Sequence, residues 1–148
     1  NANFYFKGVR PLHIACYMCN EELVSILLEH DANVHEMAFG FLPIHIAVIQ
    51  GSLKIVQLLL FHKAQINVET DPVNSSDKIE FPLSMIFSLA KYNEILQEHF
   101  SFGPQVDSKN HSLCLRCQSC YSGSSCNDCR CGLHWKKMLY YLLESGAD

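Results

Sequence analysis

Cysteine and histidine side chains are concentrated near the end of this 148-residue sequence, in a pattern that could bind a metal ion. Six cysteines fall within eighteen residues, flanked on each side by a histidine; the eight side chains are His111, Cys114, Cys117, Cys120, Cys126, Cys129, Cys131 and His134. Zinc takes four thiolate or imidazole ligands in a tetrahedron, and a Cys-x2-Cys pair brings two sulfurs to one ion at about 2.3 Å each. The segment contains three such pairs, so it predicts a structural zinc site.

The ligand pairing stays open at this stage. Eight candidate ligands are enough for two Cys3His sites, or for one site of four ligands with the other thiols free. Disulfide bonds are the alternative; they need an oxidising compartment, and six cysteines allow fifteen connectivities. Unbound thiols are the third alternative. A catalytic zinc is disfavoured because it needs an open coordination position and a general base, and Asp128 is the only carboxylate within the cluster.

Bulk composition favours one soluble, packed domain, with 49% hydrophobic and 18% charged residues. The net charge is −4 and no basic stripe is present, so we expect no nucleic-acid partner. The longest apolar runs are short, such as Leu58–Phe61, so no membrane span is expected. No phosphate-binding loop or catalytic triad spacing is present, and we therefore predict that the chain is not an enzyme.

The cysteine cluster belongs to a chain that also contains a repeat with an offset of 32 residues, and this repeat predicts the fold around the cluster. Ten residues recur at this offset: Gly8, Pro11, His13, Ile14, Ala15, Val24, Leu27, Leu28, His30 and Ala32 return as Gly40, Pro43, His45, Ile46, Ala47, Val56, Leu59, Leu60, His62 and Ala64. Units of this kind bury their apolar faces only against their neighbours, so the fold is predicted to be a stack that binds other proteins.

The segments Gly8–Ala15 and Gly40–Ala47 resemble the ankyrin signature T-P-L-H-x-A, with Arg10 and Leu42 where the family favours Thr. In each unit, Pro is expected to begin a first helix. The resemblance implies an all-α solenoid of helix-turn-helix units with hairpin loops, interrupted by the Cys-rich, zinc-binding insertion.

Apolar spacing predicts a second helix in each of the first two units, over Glu21–Glu29 and Leu53–Phe61. We expect one ankyrin-repeat domain over 1–148, with repeat 1 at 8–39, repeat 2 at 40–70 and repeat 3 at 80–148. An insertion at about 93–134 splits repeat 3, and the Cys/His cluster lies at 111–134. The second helix of repeat 3 is predicted over Trp135–Glu144. Both ends read as partial repeats, so further repeats are expected on both sides.

Three turns depart from the family pattern. Asp31 and Lys63 replace the glycine that usually ends the second helix, and a left-handed conformation there costs about 1 kcal/mol for a non-glycine residue. Gly51 is expected to form the turn between the two helices of repeat 2. Repeat 1 has Cys19 and Asn20 at this turn, and Asn20 is expected to take the left-handed conformation because asparagine tolerates it better.

Four other potential ligands are expected to be structural. The resemblance implies that His13 and His45 form hydrogen bonds that stabilise a loop. Cys16 and Cys19 are expected to be buried or half-buried thiols.

An apolar surface is predicted at the hairpin tips, which are usually polar in ankyrin repeats. It consists of Phe4, Tyr5 and Phe6 in one tip and Met37, Phe39 and Phe41 in the next. Such a patch is typical of a partner-binding site or of a surface covered by the insertion. The alternative is that these side chains pack against each other or against a preceding repeat. By resemblance, the concave face adds Tyr17, Met18, Ile49 and Gln50 to the candidate contacts.

The expected function is that of a protein-interaction scaffold or adaptor, cytoplasmic or nuclear, with a structural zinc insertion. The first alternative is the cytoplasmic ankyrin domain of a transient receptor potential channel, a family in which one subfamily joins a Cys/His zinc site to ankyrin repeats with different spacing. The second alternative is a secreted, latrotoxin-like array, which would be extracellular with a disulfide-bonded insertion.

Overall fold

The computed structural model describes residues 2–70, 81–86, 95, 96, 98, 100 and 132–147; over 132–136 it describes the backbone alone. Its helices are α1 (Pro11–Tyr17), α2 (Glu21–Glu29), α3 (Pro43–Gln50), α4 (Leu53–Phe61), α5 (Pro82–Met85) and α6 (Gly132–Glu144). Residues 95, 96 and 98 are also helical. The described residues contain no β-strand, so this part of the chain is all-α. None of its helices has both the length and the apolar character needed to cross a bilayer.

A proline begins each of α1, α3 and α5, as the sequence predicts. The residue before each proline is extended, with φ and ψ of −96° and 155° at Arg10, −75° and 159° at Leu42, and −94° and 159° at Phe81. The proline ring excludes the helical conformation from the preceding residue and has the φ that a first helical turn requires. The predicted second helices are confirmed with the same limits, as α2 and α4.

Side-chain oxygens cap α2 and α4. Oδ1 of Asn20 accepts a hydrogen bond from the N–H of Leu23 at 3.0 Å, and Oγ of Ser52 accepts one from Ile55 at 3.4 Å. Capping requires an extended backbone, and Asn20 has φ −88° and ψ 91°. The expectation that Asn20 is left-handed is therefore wrong. Cys19 takes that conformation instead, with φ 54°, in the position that Gly51 occupies with φ 74°.

A left-handed residue follows each of α2, α4 and α6. Asp31 has φ 60°, Lys63 has φ 67° and Gly146, after α6, has φ 92°. The next residue is an alanine in all three cases, and its N–H bonds back to a leucine carbonyl at 2.9 to 3.0 Å. These bonds satisfy carbonyls that a helix end leaves without an intrahelical partner. The predicted left-handed conformation of Asp31 and Lys63 is confirmed.

The helices form two layers, and the core lies between them. In the inner layer α3 contacts α1 on one side and α5 on the other, while α2 contacts α4 in the outer layer; α5 also contacts α6. Every residue from Phe41 to Gln50 is consequently buried. The largest fully buried apolar side chains are Leu12, Ile44, Ile46, Ile49, Ile55, Leu59, Met85, Leu96, Met138 and Leu142.

Two tight hairpins project from the edge of the helical layers. Phe6 and Val9 exchange backbone hydrogen bonds at 2.9 and 3.0 Å, and Ala38 and Phe41 do the same at equal distances. The central residues of each turn have positive φ: 50° and 79° in the first hairpin, 53° and 81° in the second. This geometry is that of a type I′ turn, which favours Asn-Gly. Here Lys7 and Phe39 take the first central position and bear a steric cost there. Gly8 and Gly40 take the second position without that cost.

Candidate partner-binding surface

The first hairpin carries an exposed run of aromatic side chains. The exposed fractions of Phe4, Tyr5 and Phe6 are 52, 56 and 45%. Nζ of Lys7 lies 5.6 Å from the centroid of the Phe6 ring. Met37, before the second hairpin, is 37% exposed. Large apolar side chains are therefore grouped at one edge of the molecule, with a cation beside them. We call Phe4, Tyr5, Phe6 and Met37 the tip surface.

Arg10 holds the tip surface in place. Its guanidinium carbon lies 4.1 Å from the centroid of the Tyr5 ring, within the range of a cation–π interaction. The guanidinium donates hydrogen bonds to the Asn3 carbonyl and to the Glu36 carboxylate, and the Tyr5 hydroxyl donates to the same carboxylate oxygen. These bonds connect the first hairpin to the loop after α2.

The protonation states of this cluster follow from its hydrogen bonds. The bonds donated by Arg10 and then by Tyr5 lower the pKa of the Glu36 carboxyl, so it is ionised at neutral pH. The bond to Glu36 raises the pKa of the Tyr5 hydroxyl and that of the Arg10 guanidinium. Tyr5 therefore stays neutral and donates a hydrogen bond to a carboxylate, while the residue remains 56% exposed. Arg10 stands where the family favours Thr, and this difference places a cation beneath an aromatic ring.

A second group of aromatic rings lies between α1 and the second hairpin. The rings of Tyr17 and Phe100 stack with centroids 4.6 Å apart and planes 15° apart. Phe39 contacts the same Phe100 ring edge-on, at 6.2 Å and 79°. Phe39 also lies against the first hairpin, since a Cβ added to Gly8 would meet its Cε1 and Cζ at 3.9 Å. Tyr17 and Phe39 are half-buried, and we call them the aromatic pair.

The remaining predicted contacts differ in exposure. Met18 is exposed at 46%, beside Tyr17 at the end of α1. Phe41, Ile49 and Gln50 are buried, with exposed fractions of 4, 0 and 4%. They lie in the segment that α1 and α5 enclose, so their side chains are not available to a partner in this conformation. Tyr17 and Ile49 occupy equivalent positions of the repeat, but Tyr17 is half-buried and Ile49 is fully buried.

Histidines at equivalent positions of α1 and α3 connect each helix to the next loop. Nε2 of His13 lies 2.9 Å from the Glu36 carbonyl, and Nε2 of His45 lies 2.7 Å from the Val68 carbonyl. Nδ1 of His45 accepts a hydrogen bond from the N–H of Leu42 at 3.0 Å. Both rings are buried, and desolvation lowers the pKa of each to about 4. The structural role implied for the two histidines is confirmed.

The cysteine predictions divide into two groups. Cys16 and Cys19 are buried thiols, as expected, and desolvation raises the pKa of Cys16. The predicted zinc ligands His111, Cys114, Cys117, Cys120, Cys126, Cys129 and Cys131 lie outside the described residues. His134 is in α6, and its side chain also lies outside them. The part of the chain that the structure describes holds no other group of three potential metal ligands.

Three residues of this region were missed by the sequence reasoning: Glu36, Phe100 and, as an interacting side chain, Arg10. Arg10 departs from the family pattern, and this departure is a signal that could have led to its partners. Tyr5 lies in the hairpin just before Arg10, and Glu36 lies in the loop after α2. Phe100 has no equivalent in the 32-residue repeat, so no register could have placed it on Tyr17.

Comparison with protein families agrees with this architecture. Residues 1–70 match the model of the family described as ankyrin repeats (3 copies). The range covers both hairpins, α1 to α4 and the two histidines. Over this range the chain is similar to ankyrin-repeat proteins. No curated protein matches the sequence.

Proposed function

We propose that this chain is a protein-interaction module that binds its partner through the tip surface. The observation that carries the proposal is the exposure of Phe4, Tyr5, Phe6 and Met37 at one edge. Contiguous apolar patches rimmed by polar groups are typical of interaction sites. Aromatic residues and arginine contribute most of the binding energy at many protein interfaces, and this surface has both types.

The hydrogen bonds beneath the tip surface support the proposal. Arg10 and Glu36 fix Tyr5 from below, so the ring is ordered before a partner arrives. Ordering a side chain during association costs about 0.5 to 1.5 kcal/mol, and a ring that is already fixed avoids much of this cost. The sequence carries a net charge of −4, which favours a protein over a nucleic acid as the partner.

The test compares one pair of phenylalanines with a single control phenylalanine in quantitative affinity capture from a cell lysate. Phe4→Ser/Phe6→Ser should lower the recovery of the specific partner at least about tenfold, since hot-spot residues contribute more than about 1 kcal/mol each. Phe61→Ser is the matched control, because Phe61 is an exposed phenylalanine on α4 away from the hairpins. Equal recovery with the tip variant and the wild type would refute a binding role for the tip surface.

We also propose that α5 and α6 are the two helices of a third repeat, split by the insertion. Three observations support this assignment. The two helices are in contact. Ser84 accepts a hydrogen bond from the N–H of Phe81 at 3.0 Å, the same local bond that His45 makes in α3. Asn67 donates to the Gly146 carbonyl at 3.0 Å, as Asn3 donates to the Asp31 carbonyl after α2.

The insertion between these helices is proposed to be organised by structural zinc. The support is chemical: six thiols and two imidazoles at short spacing match the donors that zinc prefers, and the segment has few apolar residues for a core of its own. A segment of this kind folds when it binds the metal. The proposal carries an intracellular location with it, because free thiolates require a reducing compartment.

Native mass spectrometry before and after a strong chelator tests the zinc proposal. We expect one or two zinc ions, lost on chelation, after which the thiols react with an alkylating reagent. Cys114→Ser/Cys117→Ser should lower the zinc content. A metal-free chain whose cysteines resist alkylation until reduction would overturn the proposal in favour of disulfides and an extracellular protein.

A further inference from the structure

Phe100 packs on the aromatic pair although it belongs to neither of the first two repeats. The residue is 3% exposed, and its ring contacts the stacked ring of Tyr17 and the nearly perpendicular ring of Phe39. Leu96 is fully buried, and the N–H of Phe100 donates to the Leu96 carbonyl at 2.9 Å. This bond spans four residues, so the two side chains lie on one face of a helical turn.

The aromatic pair is specific to one place in the array. The offset of 32 relates Tyr17 to Ile49 and Lys7 to Phe39, and neither Ile49 nor Lys7 is aromatic. Tyr17 comes from α1 and Phe39 from the second hairpin, so Phe100 joins a helix of one repeat to the loop that begins the next. The pair also lies beside Met18, which is exposed at the end of α1.

We propose that Phe100 and Leu96 are an intramolecular ligand of the aromatic pair, and that the partner displaces them with an apolar helix of its own. This inference rests on the proposed interaction function. The matching partner segment is an amphipathic helix with an aliphatic and an aromatic side chain four residues apart, since Leu96 and Phe100 have that spacing on one helical turn. Helices of this type bind grooves through anchors at i and i+4.

Competition by the tethered segment has a calculable size. A short linker gives a tethered ligand an effective concentration of about 1 mM. If the free segment binds with a Kd of about 100 μM, the tethered copy raises the apparent Kd of a competitor by a factor of about ten, which is the ratio of the two concentrations. Removing the tethered aromatic side chain should therefore tighten binding of an external helix about tenfold.

The probe is a fluorescently labelled peptide with the sequence of residues 92–103, titrated with the full chain in fluorescence polarisation. Phe100→Ala should bind it about tenfold more tightly than the wild type does. Phe100→Ala/Tyr17→Ala should lose this gain, because the stacking partner is absent. Phe61→Ala is the matched control and should behave as the wild type. A peptide with alanine at the Phe100 position should bind none of them measurably.

Circular dichroism of each variant accompanies the titration and establishes that the helices persist. Equal affinity of the peptide for the wild type and Phe100→Ala would overturn the proposal, as would a gain that survives Tyr17→Ala. Absence of peptide binding to folded Phe100→Ala at 1 mM would overturn it too, since the aromatic pair would then hold no helix of this chemistry. None of these outcomes depends on the tip variants, so failure here is distinguishable from failure of the proposed function.

Discussion

Mild acid should destabilise this protein through His13 and His45. Both imidazoles are buried and neutral, with pKa values of about 4 against 6.5 in the unfolded chain. Nδ1 of His45 accepts the N–H of Leu42 while Nε2 lies at the Val68 carbonyl. A second ring proton would place two N–H donors face to face at Nδ1 and would remove the bond to Leu42.

The expected loss follows from proton linkage. Below pH 6.5 the unfolded state binds more protons than the folded state, so the free energy of unfolding falls as the pH falls. The slope is about 1.4 kcal/mol per pH unit for each histidine. Between pH 6.5 and 5 each histidine contributes a loss of about 2 kcal/mol, and the two together about 4 kcal/mol. The loss levels off below pH 4, where the folded state is protonated as well.

Urea unfolding at pH 7, 6 and 5, followed by circular dichroism, measures this loss. Glu36 does not obscure the result, because its hydrogen bonds with Arg10 and Tyr5 lower its pKa and move its titration to more acidic conditions. His45→Gln should show about half the pH dependence of the wild type. His30→Gln, at an exposed site, should show all of it. A free energy of unfolding that stays constant from pH 7 to 5 would refute the reasoning.

Two substitutions test the helix ends. Lys63→Gly should stabilise the chain by about 0.5 to 1 kcal/mol, because it removes the cost of a left-handed lysine. Lys54→Gly, within α4, should destabilise the chain by about the same amount. Urea midpoints that shift in the same direction for both variants would contradict this. Asn67→Ala should accelerate hydrogen exchange in α6 about fivefold by removing the bond to Gly146, while Gln65→Ala should not; equal exchange in both variants would speak against the third repeat.

Regular helices could be predicted from the sequence because the repeat encodes them twice. The apolar spacing of Glu21–Glu29 and Leu53–Phe61 gave both outer helices without error. The turn at Cys19 was missed because two preferences compete at adjacent residues. Asparagine favours the left-handed region, but Asn20 also caps α2, and a lost cap costs about 1 kcal/mol. Asn20 therefore caps α2 with an extended backbone, and Cys19 takes the left-handed conformation with its steric cost.

The candidate surface was only partly predictable. The exposed aromatics of the first hairpin could be recognised because hairpin tips of this family are usually polar, so a run of three aromatic residues departs from the pattern. Ile49 and Gln50 were expected on a concave face, but α5 packs on α3 and buries them. Their exposure depends on the distance between α3 and α5, and the spacing of residues within one repeat does not determine this distance. The contact of Phe100 with Tyr17 spans 83 positions, and only the folded chain brings the two together.

The left-handed residues at the hairpin tips have a kinetic consequence. Because a pair of backbone hydrogen bonds closes each hairpin around Lys7-Gly8 and Phe39-Gly40, each tip has little freedom to rearrange. A partner that meets such a rigid surface docks in one step, so its association rate would be set by diffusion and orientation. Phe39 differs in that its ring contacts Phe100, so under the displacement proposed above a partner would bind there only after Phe100 has left. The same edge of the molecule would therefore offer one fast contact and one slow contact.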